Sequence, residues 1–191
     1  MTRRISTLAL LVVSVLGLAV PAGAGDEDFQ FLSFIHDDIT TEFSNDWGAG
    51  RSGGRAHKGN DVFSPKGTPV LAAADGFVER LGNGPRSGFY VKLRHADGYD
   101  TWYMHLDNDT PGSDDGRGGS DAAYAADLQE GDFVEAGQVI GYVGDSGNAE
   151  WTTPHTHFEL HRDGRAINPH DYLEGAMTRW LRVESLADEL A

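Results

Sequence analysis

Five polar side chains in three short stretches carry the types and spacing needed for metal-assisted proton chemistry. They are His57 and Asp61 in AHKGNDV, His105 in WYMHL, and His155 and His157 in TPHTHFEL. A catalytic zinc takes three nitrogen or oxygen ligands from the protein and keeps one position open for water. Two histidines and an aspartate supply such a set without cysteine. Two more histidines then remain to work on whatever the metal activates.

The elements that must position these groups are short strands. Read as a strand, Thr156 to His161 alternates, so His155 and His157 share one face while Phe158 and Leu160 turn into the core. His57 and Asp61 are four residues apart, but Gly59 and Asn60 between them argue against a helix. A loop running into a strand at Asp61-Val62-Phe63 is expected instead. An isolated H-x-H pair is commonly two surface histidines on a strand. The five residues gain force together because each ends a turn-bounded β segment, where sites are commonly built. Glu159 and Asp100 are candidates to fix an imidazole tautomer, and Glu159 is the better one because it is in phase with the pair. His36, His95, His161 and His170 have no such partners and read as ordinary histidines. The helix-borne H-E-x-x-H pattern is absent.

Around this set the chain of 191 residues reads as one domain with a leader. Residues 1–24 have a basic start (Arg3, Arg4), an apolar run and a small-residue site at Ala22-Gly23-Ala24, the pattern of a secretory signal peptide. That predicts a secreted, periplasmic or cell-envelope protein with no stable membrane insertion after cleavage near Ala24. The formal charge is −15, and the leader carries arginines but no acids. So acidic a chain is not built to neutralise phosphates, which excludes a nucleic-acid partner. There are no cysteines, and a chain of this length can bury a core without disulfides.

Residues 25–54 are turn-rich with two aromatic clusters and read as an N-terminal segment packing on the domain. From Asp61 onward, short apolar runs alternate with Gly, Asp and Asn, as strands at close spacing should. Asp107 to Asp121 (DNDTPGSDDGRGGSD) must be a loop. Its place after His105 predicts that it borders the site, either solvated or gating the substrate. As a calcium loop it is poor, with Pro111 at a ligand position and no closing Glu. Helical spacing appears only in residues 171–191, with Leu173, Met177, Trp180, Leu181, Leu186 and Leu190 as the apolar set.

Four linked segments resemble the lysostaphin/LytM-type zinc metallopeptidases, family twenty-three, which cut peptide bonds in bacterial peptidoglycan. These are AHKGNDVFSPKGTPVLAAADGFV, WYMHL, GDFVEAGQVIGYVGDSGN and PHTHFELHRDGRAINP, spanning His57 to Pro169. The resemblance implies a mostly β fold: a small antiparallel sheet, sandwich-like, with a groove holding a zinc site, in a catalytic domain over residues 55–170, followed by a short C-terminal helical extension. It implies Zn2+ on His57, Asp61 and His157, with His155 and His105 as catalytic histidines. His155 would accept the proton of the zinc-activated water and His105 would stabilise the oxyanion, or the two would exchange these tasks. The implied substrate is a peptidoglycan peptide, in a cross-bridge or a stem, or another Gly-rich peptide. The alternative is a non-catalytic binding or activator module of the cell envelope. One departure is Thr156, which stands where the family usually has Leu and should face away from the metal.

Overall fold

The computed structural model describes residues 29–190. The signal-peptide reading of residues 1–24 lies outside them. The strands in chain order are β1 (Glu42–Phe43), β2 (Gly50–Arg51), β3 (Arg55–Ala56), β4 (Asn60–Phe63), β5 (Pro69–Leu71), β6 (Gly76–Gly84), β7 (Gly88–Arg94) and β8 (Tyr99–Leu106). They continue with β9 (Phe133–Val134), β10 (Val139–Tyr142), β11 (His155–Arg162) and β12 (Arg165–Ile167). A short helix, α1 (Gly119–Ala123), interrupts them, and α2 (His170–Leu190) follows them.

The main sheet has the order β1-β4-β11-β8-β7-β6-β9, with β12 also paired to β11. Every pairing is antiparallel. β5 and β10 form a separate two-stranded ladder, as do β2 and β3. The fold is therefore the mostly antiparallel β architecture expected from the sequence.

Alternation along β11 divides the sheet into two faces. Thr156, Phe158 and Leu160 are fully buried, while His155, His157 and Glu159 line a groove on the other side. β8 repeats this with Thr101 and Tyr103 inward. The N-terminal segment and α2 cover the buried face. Phe31 meets Phe158 edge-on at 5.4 Å, and Phe34 stacks on Trp180 at 6.0 Å. Phe31, Phe34 and Leu173 are wholly inaccessible. Each such side chain contributes roughly 1.5–3 kcal/mol of burial.

Two expectations need correction. Helical spacing put Leu181 and Leu186 in the apolar set of the C-terminal helix, yet they are exposed. α2 runs on as one helix beyond the body it packs against, so only its first half, from Leu173 through Trp180, finds partners. The acidic loop after His105 does not line the groove either. It folds back around Lys66, whose Nζ lies 2.5 Å from Asp109, 2.6 Å from Asp114 and 2.8 Å from Asp145. These carboxylates hold the Lys66 ammonium strongly in its charged form. Asp115 accepts from the amides of Thr110 and Arg117, and Asp107 from those of Asn108 and Asp109, so the acids are spent on internal turns. Among the described residues no helix is long and apolar enough to cross a membrane.

Candidate metal centre and groove

All five singled-out residues line one groove of about 560 Å³. His57 comes from the loop before β4, Asp61 from β4, His155 and His157 from β11, and His105 from the end of β8. β4 and β11 are adjacent, and Asp61 is the register partner of His157. Gly59 makes this closeness possible. A Cβ there would lie 2.2 Å from the Phe158 carbonyl oxygen, so only glycine lets the loop carrying His57 lie down on β11.

Three atoms converge. His157 Nδ1 is 2.7 Å from His57 Nε2 and 2.9 Å from Asp61 Oδ1. His57 Nε2 is 3.1 Å from the same carboxylate oxygen. Three ligands of one tetrahedral zinc at ~2.0–2.1 Å stand roughly 3.3 Å apart, so the spacing matches a single-ion site. The outer nitrogens are already committed to acids. His57 Nδ1 lies 3.0 Å from Asp46 Oδ2, and His157 Nε2 lies 3.1 Å from Glu159 Oε1. That leaves three lone-pair atoms facing one another, and protons or a cation must sit among them. Imidazoles held from behind by carboxylates are the usual dress of metal ligands. The donor set therefore fits zinc.

The titration of these groups follows from the same contacts. Burial opposes charge on His57, but hydrogen bonds to Asp46 and Asp61 outweigh it and raise the ring to about 9. Burial likewise opposes charge on His157, and Asp61 and Glu159 overcome it and raise its pKa. Asp61 and Glu159 move the other way despite their burial. Their histidine partners hold Asp61 far below the usual carboxylate range and bring Glu159 to about 2.

His105 and His155 stand beside this cluster with ring centroids 5.1 Å apart. His105 Nδ1 lies 2.8 Å from the Ser146 carbonyl, and His155 Nδ1 lies 2.8 Å from the Thr153 carbonyl. A carbonyl only accepts, so each Nδ1 donates, and each neutral ring keeps its lone pair on Nε2. Burial, reinforced by the nearby His155, pushes His105 down to about 4. The backbone of His105 has φ 62°, in the left-handed region. Simple alternation would face His105 opposite to Met104; this turn lets both line the groove.

Other residues of the neighbourhood were less visible in the sequence. Glu159 has the expected second role. His161 is not an ordinary exposed histidine, because its Nε2 lies 2.6 Å from Glu159 Oε2. Asp100 instead faces Lys92 at 3.6 Å. Asp46 and Arg51 were missed. Arg51 Nη2 donates to Asp61 Oδ2 at 2.5 Å and to Asp46 at 3.1 Å. Both sit in a turn-rich stretch where no periodicity marks them. His36 was also passed over. It is fully buried and bridges Ser64 and Thr156 at 2.8 and 2.9 Å, so Thr156 faces away from the groove and is hydrogen-bonded there.

Residues 55–113 and 121–169 match the family model described as Peptidase family M23, and the chain belongs to that family. It is 30% identical to the catalytic domain of the antimicrobial peptidase lysostaphin from Staphylococcus simulans, with a TM-score of 0.55, covering 70% of this chain and 92% of that one. A zinc containing peptidase from Vibrio cholerae superposes with a TM-score of 0.52 at 27% identity, over 73% of this chain and 39% of that one. Peptidoglycan DD-endopeptidase ShyC of Vibrio cholerae is 35% identical over 115 residues, 60% of this chain and 22% of that protein. The chain thus spans about a fifth of the length of such curated relatives, 20–22%.

Proposed function

We propose that the chain is an exported zinc metalloendopeptidase that hydrolyses peptide bonds in bacterial peptidoglycan, in the cross-bridge or the stem peptide. One observation carries this reading: a cluster of three facing lone-pair atoms lies beside two histidines whose Nδ1 protons are both committed to backbone carbonyls. His57, Asp61 and His157 would hold the zinc. The named activity of the endopeptidase relative supports peptidoglycan as the substrate. A zinc ion bound there supplies Lewis-acid polarisation and makes water more acidic.

The chain's own residues supply the proton transfers. His105 is neutral near pH 7, and its Nε2 lone pair accepts a proton from the attacking water. Ser146 keeps the ring oriented throughout by accepting from Nδ1. His155 lies on the Asp61 side, with Nε2 3.9 Å from Asp61 Oδ1. In its charged form His155 donates from Nε2 toward the charge developing on the carbonyl oxygen. This is the exchanged form of the two tasks drawn from the resemblance. The proton taken by His105 passes to the leaving amine.

Zinc content by elemental analysis, together with cleavage of purified peptidoglycan fragments, tests the reading. The mature chain should hold about one zinc, lose it in His157→Ala, and lose and regain cleavage with chelator and zinc. A folded chain that takes up no zinc and cuts no fragment would instead be a non-catalytic envelope module.

A further inference from the structure

Taking the groove as a peptide-binding site, and resting on that reading alone, we infer that it selects peptides with free carboxylates close to the scissile bond over uncharged runs of glycine. The observation is one of charge. The chain has 30 acidic and 15 basic residues, so a cation on its surface should readily find an acid. Lys66, Arg80 and Lys92 do so. Arg117 and Arg165 elsewhere on the surface also lack a carboxylate within ion-pair distance among the described residues, but the groove gathers three such cations. Arg55, Lys58 and Arg86 line it, all three exposed, and among the described residues none has a carboxylate within ion-pair distance. Among the described residues, the Arg55 guanidinium makes polar contacts only with Ser52.

Among the described residues no groove anion is left to balance them. The acids lining it are Asp61 and Glu159, and both are engaged, Asp61 by His57, His157 and Arg51 and Glu159 by His157 and His161. Three unpaired cations facing one groove make it locally positive, which favours an anion lying in it. Their placement gives direction. Arg55 and Lys58 lie on the loop that leads into β4, whereas Arg86 sits at the tip of the β6–β7 hairpin, on the far side of β11 and β8. The histidine and aspartate cluster lies between the two walls. A bound peptide therefore meets a cation on each side of the reacting centre. Glycine runs offer these side chains carbonyl acceptors but no counter-charge. An acidic segment would be drawn in, and the negative charge of the remaining surface would repel it everywhere else.

The test uses three probes: a glutamate-containing stem peptide with free carboxylates, the same peptide fully amidated, and pentaglycine amide. Binding is followed by titration calorimetry on the wild-type chain and on Arg55→Gln/Lys58→Gln/Arg86→Gln, and cleavage is followed in parallel. The substituted side chains are exposed, and an unchanged melting temperature checks the variant's fold. The free carboxylate form should bind on the order of tenfold more tightly than the amidated form at low salt, less so as salt rises. That preference should vanish in the triple variant, while binding of the amidated peptide stays as it was. Equal binding of the two forms, or a preference that survives the triple variant, overturns the inference. Cleavage without preference would leave the peptidase reading standing alone. Preference without cleavage would leave the charge selection standing and remove the peptidase.

Discussion

Asp61 and His157 are register partners across the β4–β11 pair, and their side chains meet on the groove face with Oδ1 2.9 Å from Nδ1. The candidate metal centre is thus a property of strand pairing. Whatever shifts that pair moves two of the three candidate ligands at once. Gly59→Ala is the sharpest probe, because its Cβ would meet the Phe158 carbonyl oxygen at 2.2 Å. We expect at least tenfold weaker zinc binding and roughly 1–3 kcal/mol of lost stability, read by competition with a chelator and by urea denaturation.

Glu159 holds His157 from behind, at 3.1 Å from Nε2. Glu159→Gln keeps the shape and removes the charge. Zinc affinity should fall 10–100-fold in chelator competition, with the melting temperature of the metal-free chain changing far less.

The five groove residues should separate into two phenotypes. His105→Ala and His155→Ala should retain about one zinc and lose roughly 10²–10⁴ in kcat. His57→Ala, Asp61→Ala and His157→Ala should lose the metal itself. Elemental analysis beside a fragment-cleavage assay reads both, and full activity of zinc-loaded His155→Ala would sink its assigned role.

His36 sets a pH limit on the fold. Burial lowers it from 6.5 to about 3, so the folded chain keeps it neutral while the unfolded chain protonates it. A depressed histidine contributes nothing to pH dependence above pH 6.5 and costs stability as pH falls below it, by up to ~1.4 kcal/mol per pH unit. Urea midpoints at pH 7 and pH 4.5 should therefore differ more for wild type than for His36→Gln. An identical acid loss in both would remove His36 from the account.

Lys66 is the hub of the acidic loop, and Asp109 and Asp145 beside it have side chains only 2% and 3% exposed. Lys66→Met leaves those carboxylates buried without a counter-charge. Water reaches Lys66 itself, so the expected cost sits at the low end of ~3–5 kcal/mol, with faster proteolytic nicking within residues 107–121. Limited proteolysis and denaturation midpoints check it.

The sequence made the groove's floor legible, since alternation alone places His155, His157 and Glu159 on one face and Phe158 and Leu160 on the other. It also foretold that His57 and Asp61 come from a loop entering a strand. What it did not reveal depends on contacts distant along the chain. Asp46 and Arg51 reach the cluster from irregular backbone, and nothing periodic marks such residues. β6 continues to Gly84 through Glu79–Gly84, where polar residues on both sides of an exposed hairpin erase the two-residue rhythm. The acidic loop misled because adjacency to His105 in sequence was taken for adjacency in space, whereas Lys66 draws it aside.

The left-handed backbone of His105 sets folding and chemistry at odds. Glycine would adopt φ 62° without the steric penalty, about 1–2 kcal/mol, that any other L-residue bears there. Glycine there would also empty a buried position and strip the Ser146 carbonyl of its donor, so melting temperature alone is a poor guide at position 105. A stabilisation campaign on this scaffold has to hold that codon fixed and look for its gains elsewhere.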